Sequence, residues 1–230
     1  MFPSISGLSS GVFSKDELPF GASYNEWAKK FWTWQSETFT DQENSGNWVG
    51  VEENGCFLRD EGPLVMLIDP AVGYNLNQNC TISSNQGILI DLWSGECDQA
   101  MKEYANATVQ ELSDCARTFN YGKVHSIVKV DGMPVAELGA VDKVTNILKN
   151  ASEVRTSEFN LTLDKNTRIP TDEDKLGGTY LAGTHGWYVI LKPLAPGSHT
   201  IYYQNSVEPT TLSGAGNVNA AQITYHLNVK

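Results

Sequence analysis

The fold of this chain is decided by one stretch near its C-terminus, Gly186-Trp187-Tyr188-Val189-Ile190-Leu191-Lys192-Pro193-Leu194-Ala195-Pro196-Gly197-Ser198-His199-Thr200-Ile201. Its first half is an apolar run rich in β-branched and aromatic residues, which favours a buried strand. Two prolines and a glycine then indicate a turn, because these residues interrupt regular pairing. The last residues alternate polar and apolar, as in a strand with one face in the core. The stretch therefore predicts a β-hairpin in a mostly β protein.

Further strands are predicted on both sides of this stretch, wherever short apolar or alternating runs are bounded by turn residues. They fall at residues 64–68, 87–93, 124–130, 159–163 and 221–229. Asp131-Gly132 is a strong signal for a tight hairpin turn. Because the chain shows many short strands, no internal repeat and no linker, we predict one β-sandwich, jelly-roll-like, over residues 21–230.

An amphipathic helix is predicted near the N-terminus. Ser23 and Glu26 have the spacing of a capping box, and Trp27, Phe31 and Trp34 follow at the spacing of one helical face. We expect this aromatic stripe to pack against the core.

A second, shorter helix is predicted inside an insertion at residues 98–120, where Thr108 and Glu111 form another capping box. Residues 1–20 are rich in Ser, Gly and Pro and predict an extended arm. Polar loops are predicted at residues 41–55 and 205–219, and a solvated acidic loop is predicted around Asp164, Asp172, Glu173 and Asp174.

The four cysteines are Cys56, Cys80, Cys97 and Cys115. Their spacing lacks the C-x-x-C pairs and nearby histidines of a structural zinc site, and an even, well-separated set favours two disulfides and an oxidising compartment. Three pairings are possible. We expect the sequential one, with Cys56–Cys80 across a strand pair and Cys97–Cys115 across the helical insertion. Each would close a loop of roughly 20 residues, worth about 3 kcal/mol.

Charge and hydropathy limit the partners and the compartment. Acidic residues outnumber basic ones 27 to 16 without a basic cluster, which argues against a nucleic-acid partner. No apolar run is long enough to span a membrane. Residues 1–7 lack the basic and apolar segments of a signal peptide. Because the cysteines favour an oxidising compartment, we expect a secreted or cell-surface protein whose signal peptide is absent from this chain. Four sequons permit glycosylation, at Asn79, Asn106, Asn150 and Asn160.

Three blocks together resemble a family of secreted bacterial and archaeal proteins for which no activity is assigned. The blocks are the aromatic helix around Trp27–Trp34, the Gly62–Leu67 strand after a cysteine, and the Gly186–Ile201 stretch with the closing Thr224–Val229 strand. They occur in order over nearly the whole chain. The resemblance implies secretion and a single β-rich domain, and it transfers no catalytic residue.

A group of carboxylates is the strongest candidate for chemistry. Asp91, Glu96 and Asp98 surround Trp93 in what we predict to be a loop held by Cys97. Two carboxylates beside an aromatic platform are typical of a glycosidase, and several carboxylate oxygens could hold calcium. The alternative is that Glu96 and Asp98 stabilise the N-terminus of the following helix. No other cofactor is indicated.

The histidines give a weaker signal. His125, His185, His199 and His226 are scattered over the chain without the close spacing of a metal site. A single histidine on a strand is usually a hydrogen-bonded structural residue. His185 lies at a strand entrance, so we include it among the expected ligand-binding residues.

Two classes of function remain open. The preferred one is a non-enzymatic module that binds carbohydrate or self-associates through sheet edges, with the extended N-terminal arm and an unpaired terminal strand adding to a neighbour's sheet. Its expected ligand-binding residues are Trp93, Glu96, Asp98 and His185. The alternative is a secreted, glycosidase-like hydrolase that uses Asp91, Glu96 and Asp98.

Overall fold

The computed structural model describes residues 11–38, 56, 58–67, 75–118, 124–141, 144–156, 158–163, 177–207 and 221–230. Within these residues, two six-stranded mixed sheets pack as a sandwich with two α-helices. The predicted mostly β sandwich is confirmed. Residues 1–10 of the predicted arm, the loop predicted at 41–55, residues 208–219 and the acidic group at 164–174 lie outside the described residues.

Sheet 1 is ordered β1-β2-β4-β10-β8, and β9 also pairs with β10. Its strands are β1 (Leu58–Asp60), β2 (Leu64–Leu67), β4 (Gly87–Asp98), β8 (Ser152–Arg155), β9 (Phe159–Leu163) and β10 (Gly178–Leu191). The pairing of β2 with β4 is parallel and the other pairings are antiparallel. The apolar runs of β2 and β4 are buried on both faces, which explains why they do not alternate.

Sheet 2 is ordered β3-β12-β11-β5-β6-β7. Its strands are β3 (Asn75–Ile82), β5 (Val124–Val130), β6 (Met133–Val141), β7 (Val144–Lys149), β11 (Gly197–Val207) and β12 (Ala221–Val229). The turn between β5 and β6 is Asp131-Gly132, with φ of 50° and 80°, as the sequence predicts for a tight hairpin. The two sheets meet where the Tyr203 hydroxyl of β11 donates to the carbonyls of Asp91 and Leu92.

The strands of the deciding stretch form where predicted, but they do not form a hairpin. β10 lies between β4 and β8–β9 in sheet 1, whereas β11 lies between β12 and β5 in sheet 2. Both edges of each strand are therefore occupied. Pro193 and Pro196 lie in the connection and lack the N–H that would extend a ladder. The chain crosses from one sheet to the other there, so the hairpin prediction is wrong.

Helix α1 (Tyr24–Thr38) begins at the predicted capping box. The Ser23 N–H donates to Glu26 Oε2 at 2.6 Å, and the Glu26 N–H donates to Ser23 Oγ at 3.2 Å. The aromatic stripe of Trp27, Phe31 and Trp34 is buried in the main core cluster, as predicted.

Helix α2 (Val109–Thr118) follows a short 3-10 turn (Lys102–Tyr104), which confirms the helical insertion. Glu111 Oε2 accepts the Thr108 N–H at 2.7 Å, so the second capping box also forms. The helix packs on β4 and β10 over Gly183, where a Cβ would lie 2.7 Å from the Ser113 nitrogen. The absence of a side chain at Gly183 lets the helix approach the sheet.

The sequential disulfide pairing is confirmed. Cys97 of β4 is bonded to Cys115 of α2, which fastens the helix to sheet 1. Cys56 is bonded to Cys80, which lies on the edge strand β3 of sheet 2. Cys56 itself lies before β1 and outside any strand, so this bond does not cross a strand pair as expected.

The terminal strand and the described part of the N-terminal arm are paired within the molecule. Val12 bridges Leu191, and the Phe13 N–H donates to the Ile190 carbonyl at 2.9 Å, so the described part of the N-terminal arm extends sheet 1. The terminal strand β12 lies between β11 and β3. The expectation that this terminal strand is unpaired is therefore wrong.

Candidate functional site

The predicted carboxylate site lies on a strand and not in a loop. Asp91, Trp93, Glu96 and Asp98 all belong to β4, which stays paired with β10 as far as Asp98. The loop prediction failed because β4 continues past Trp93 through residues with weak strand preference. Pairing with the long strand β10 decides their conformation, a tertiary effect that local propensity does not capture.

The three carboxylates are buried. Asp91, Glu96 and Asp98 are 2%, 5% and 0% exposed, so a sugar would have to displace packed side chains to reach them. Burial, and then the neighbouring Asp98, raises the pKa of Glu96 well above its ordinary value. Glu96 therefore stays protonated into a higher pH range than a free glutamate.

The helix-terminus alternative for these residues is also wrong. Asp98 Oδ1 accepts the Ala100 N–H at 2.6 Å, and Asp98 thus caps the turn that leaves β4. The helix α2 begins only at Val109, after the 3-10 turn. Within the described residues no group of three or more His, Cys, Asp or Glu side chains is arranged to hold a metal ion. Calcium binding at this site stays a prediction without a structural observation in its favour.

Asp91 belongs to a buried polar network between α1 and sheet 1. The Ser94 hydroxyl donates to Asp91 Oδ2, and Trp32 Nε1 donates to the Tyr188 hydroxyl at 3.1 Å. Burial, with the charge of Asp91 as a smaller cause, raises the pKa of Tyr188 far above its ordinary value. This network holds the helix on the sheet.

The expected ligand-binding residues are divided between the two faces of the β4–β10 pair. Glu96 is opposite Thr184, whereas Trp93 is opposite Trp187. Because successive residues of a strand point to opposite faces, Trp93 and His185 share one face and Glu96 and Asp98 share the other. The four residues therefore do not form one site.

His185 lies on the wall of an open cleft. The ring is 4% exposed, its Nε2 is 2.9 Å from Glu153 Oε1, and it packs edge-to-face on Trp187 at 5.0 Å between ring centroids. Burial lowers the pKa of His185, and the hydrogen bond to Glu153 opposes this shift. The ring is therefore mainly neutral at pH 7.

The cleft has a volume of about 440 Å³ and lies beside the edge strand β8. Its walls come from four parts of the chain that are far apart in sequence. The lining residues are Lys15, Ser23–Asn25, Arg117, Glu153–Arg155 and His185. Of these, sequence reasoning identified only His185, because no local pattern joins the others.

A second surface was missed from the sequence. The outward residues of β3, β12 and β11 form cross-strand rows, such as Asn79–His226–Thr200 and Thr81–Asn228–Ser198. The outward residues whose exposure is described are Asn77, Asn79, Thr81, Ser198, Thr200, Tyr202, Gln204, Ser206, Gln222, Thr224, His226 and Asn228. We call this set the polar face; none of its members is Asp, Glu, Lys or Arg. Its signal in the sequence is the repeated alternation of amides and hydroxyls with buried residues.

Tyr202 lies on β11, the strand of the polar face that adjoins β5, and is paired there with Lys129. Its hydroxyl is 2.9 Å from Gln204 Oε1 and 2.8 Å from Gln222 Oε1, so the ring is held in place. Lys129 of β5 lies with its Nζ 5.5 Å from the ring centroid and bounds the uncharged surface on that side. A shallow cleft of about 370 Å³ continues the face around Asn79 and His226.

The other histidine of this region has a structural role, as expected for a strand histidine. His199 is hydrogen-bonded through both ring nitrogens, Nδ1 to Asp131 Oδ2 at 2.7 Å and Nε2 to the Ala195 carbonyl at 2.9 Å. The hydrogen bond to Asp131 raises its pKa.

Comparison with known proteins adds little. No family model matches the chain, and no curated protein matches it. The solution structure of amebosin matches at 11% identity and a TM-score of 0.22, covering 68% of this chain and 96% of that one. The cysteine protease inhibitor EhICP2 from Entamoeba histolytica matches at 11% identity and 0.20, covering 67% and 95%. Neither likeness carries an argument at these scores, and the resemblance to the secreted family stays a prediction.

Two observations bear on the compartment. Neither helix in the described part of the chain is long and apolar enough to cross a membrane. Both disulfides are formed, which is typical of proteins in an oxidising compartment. The four sequon asparagines are all exposed, so the fold permits their modification.

Proposed function

We propose that this protein is a non-enzymatic, secreted or cell-surface module that binds an uncharged carbohydrate on the polar face of sheet 2. The observation that carries the proposal is the composition of that face. Charged residues make up 19% of the chain, yet the polar face has none, while amides and hydroxyls occupy nearly every position. An exposed sheet face that served only solubility would be expected to carry lysine and glutamate.

The chemistry of the face suits sugar hydroxyls. Amide side chains offer both donors and acceptors, and the hydroxyls of Thr and Ser do the same, so each can pair with a group that also donates and accepts. A tyrosine ring presents an apolar surface with little conformational entropy to lose. Tyr202, fixed by Gln204 and Gln222, therefore supplies a stacking platform among hydrogen-bonding groups.

Retention on polysaccharides tests this function. The protein is incubated with insoluble glucan, chitin and xylan and applied to a glycan array, together with Tyr202→Ser and Thr224→Glu. Loss of the ring removes the platform, and the new carboxylate places an unpaired charge in the middle of the face. We expect each change to weaken binding at least tenfold. Tyr180→Ser, on β10 of sheet 1, is the matched control and should bind as the unaltered protein does. Absence of any retained glycan, or equal retention by all variants, would overturn the proposal.

Self-association is a second candidate function, supported by the edge strand β7. No strand in the described part of the chain pairs with its outer edge. Val144, Ile147 and Leu148 of this strand are 44%, 45% and 54% exposed, and Met133 of β6 is 59% exposed. An exposed edge strand with apolar side chains is a template for pairing with a second copy of the chain.

Sedimentation velocity over a hundredfold range of concentration tests self-association. We expect a monomer–dimer equilibrium that Leu148→Lys shifts to monomer, because a charge at the paired edge opposes docking. Leu18→Lys is the control, since Leu18 is 64% exposed on the segment before α1. A monomer at every concentration, or an equal effect of both variants, would exclude the β7 interface.

The hydrolase alternative has no comparable support. Its carboxylates are buried, and Glu96 and Asp98 lie on the opposite face of the strand pair from Trp93. A glycan-cleaving activity that disappears in a folded Glu96→Gln variant would revive it.

A further inference from the structure

The cleft around His185 gathers positive charge in an acidic protein. The chain has a formal net charge of −11, but Lys15, Arg117 and Arg155 all line this one cleft. They come from the N-terminal segment, the C-terminal turn of α2 and the edge strand β8. Among the described residues that line the cleft, Glu153 is the one that contributes a carboxylate. Such a concentration of cations attracts anions to the cleft against the overall negative charge of the protein.

The position of His185 adds a group that can respond to an anion. Its Nε2 is hydrogen-bonded to Glu153, and the ring is buried among groups that include both arginines, whose charges act to lower the pKa of the ring. An anion in the cleft would oppose the field of Arg117 and Arg155. The neutral ring would then gain a proton more readily, because a nearby negative charge favours the charged form of histidine.

We propose that this cleft binds an oxyanion, a carboxylate, sulfate or phosphate group of a small ligand, between the guanidinium groups of Arg117 and Arg155 and beside His185. Guanidinium groups suit this role because their planar N–H donors match the oxygens of such groups in pairs. Lys15 contributes a further charge at the rim. The site is separate from the polar face of sheet 2 and does not depend on the function proposed for it.

Two carboxylates of the described residues lie close to these basic groups. Asp114 of α2 receives a hydrogen bond from Arg155 Nη2, and Glu153 is held by His185. The side chains of Arg155 and Asp114 are 41% and 54% exposed, so this ion pair is solvated and contributes little to the stability of the fold. A guanidinium group also has five N–H donors and can keep Asp114 while it binds a second acceptor.

The test follows the His185 imidazole by NMR while sodium phosphate, sulfate, acetate or glucuronate is added at constant ionic strength, with chloride as the reference. We expect saturable shifts and a pKa of His185 that rises when the anion is bound. Arg117→Gln and Arg155→Gln should each weaken binding at least tenfold. Arg59→Gln is the matched control, because Arg59 is 47% exposed, is paired with Glu61 and lies on the opposite edge strand β1.

The outcomes separate the sources of the oxyanion. Preference for acetate and glucuronate indicates a carboxylate ligand, and preference for phosphate or sulfate indicates a tetrahedral one; either supports the site. No saturable shift with any anion, shifts equal to those with chloride, or an equal loss in Arg59→Gln would overturn it. Unchanged amide spectra of the variants show that they are folded.

Discussion

The side chains of His199 and Asp131 connect the β5–β6 turn to the segment that crosses between the sheets, at one end of sheet 2. The His199 ring lies 2.7 Å from Asp131 Oδ2 and also reaches the carbonyl of Ala195 in the segment that crosses between the sheets. Asp131 Oδ1 accepts the Thr200 N–H at 2.8 Å. One ion pair thus holds the β5–β6 turn against the crossing segment.

Stability should fall as pH rises through the titration of His199. Its pKa is raised in the folded protein, so its contribution is complete below about pH 6.5, the unfolded value, and is lost as pH rises through the folded value. His199→Gln should therefore destabilise more at pH 5.5 than at pH 8.5. Because Asp131 is 49% exposed, we expect a difference below about 1 kcal/mol. Urea unfolding at the two pH values measures it.

Asp131→Asn provides the matched control for this effect. Asparagine tolerates the φ of 50° at this position and can still accept the Thr200 N–H through its one carbonyl oxygen, so the backbone contact is kept while the charge and the acceptor facing His199 are removed. Asp131→Asn should therefore reduce the dependence of stability on pH over the same pH range as His199→Gln does. If the profiles of the variants and the unaltered protein superimpose, the ion pair is not the source of the pH dependence.

Replacing Glu96 with glutamine should stabilise the protein near neutral pH. In the unfolded chain Glu96 ionises above about pH 4.5, whereas the folded protein keeps it protonated because burial raises its pKa. Because the pKa of Glu96 is higher in the folded protein than in the unfolded chain, its contribution to stability is complete below the unfolded pKa and is lost as pH rises. The advantage of Glu96→Gln should thus grow between pH 4 and pH 7, to about 1 kcal/mol or more, or roughly 2–4 °C in Tm. Glu103→Gln, at an exposed position, should show no such trend.

Removing the second disulfide should cost about 3 kcal/mol, because it closes a loop over a sequence separation of 18 residues. The Cys97→Ser/Cys115→Ser variant should then melt roughly 6–12 °C lower. Scanning calorimetry with and without a reductant measures the effect, and the variant should be less sensitive to the reductant. A loss below 1 kcal/mol would mean that packing alone holds α2.

Alanine at Gly186 should destabilise the β4–β10 pair. A Cβ there would overlap the Ser94 side chain and lie 2.7 Å from Ser94 Cα and from the Trp93 carbonyl oxygen. Relief requires the backbone of β4 to move, so we expect a loss of about 2–3 kcal/mol in urea unfolding. Gly11→Ala is the control, since no atom lies within 4 Å of the added Cβ. If Gly186→Ala is as stable as the unaltered protein, β4 and β10 can move apart at this position without a loss of stability.

The candidate site was predicted only in part from the sequence. His185 was predicted to lie at a strand entrance, but the structure places it in the interior of β10, on the wall of a cleft. Its cleft neighbours Lys15, Arg117 and Arg155 carry no shared local pattern, because they come from segments that meet only in the folded chain. Residues 94–98 were misassigned as a loop for the same reason, since pairing with β10 extends the strand predicted at residues 87–93.

Local signals determined a large part of this fold. The capping boxes at Ser23 and Thr108 and the Asp131-Gly132 turn each depend on residues within a few positions of one another, so the sequence alone specifies them. Short apolar runs likewise marked β2 and β4, and alternation marked strands such as β5. Tertiary structure decided which strands are neighbours: β10 and β11, adjacent in sequence, lie in opposite sheets because both edges of each are occupied by strands from distant parts of the chain.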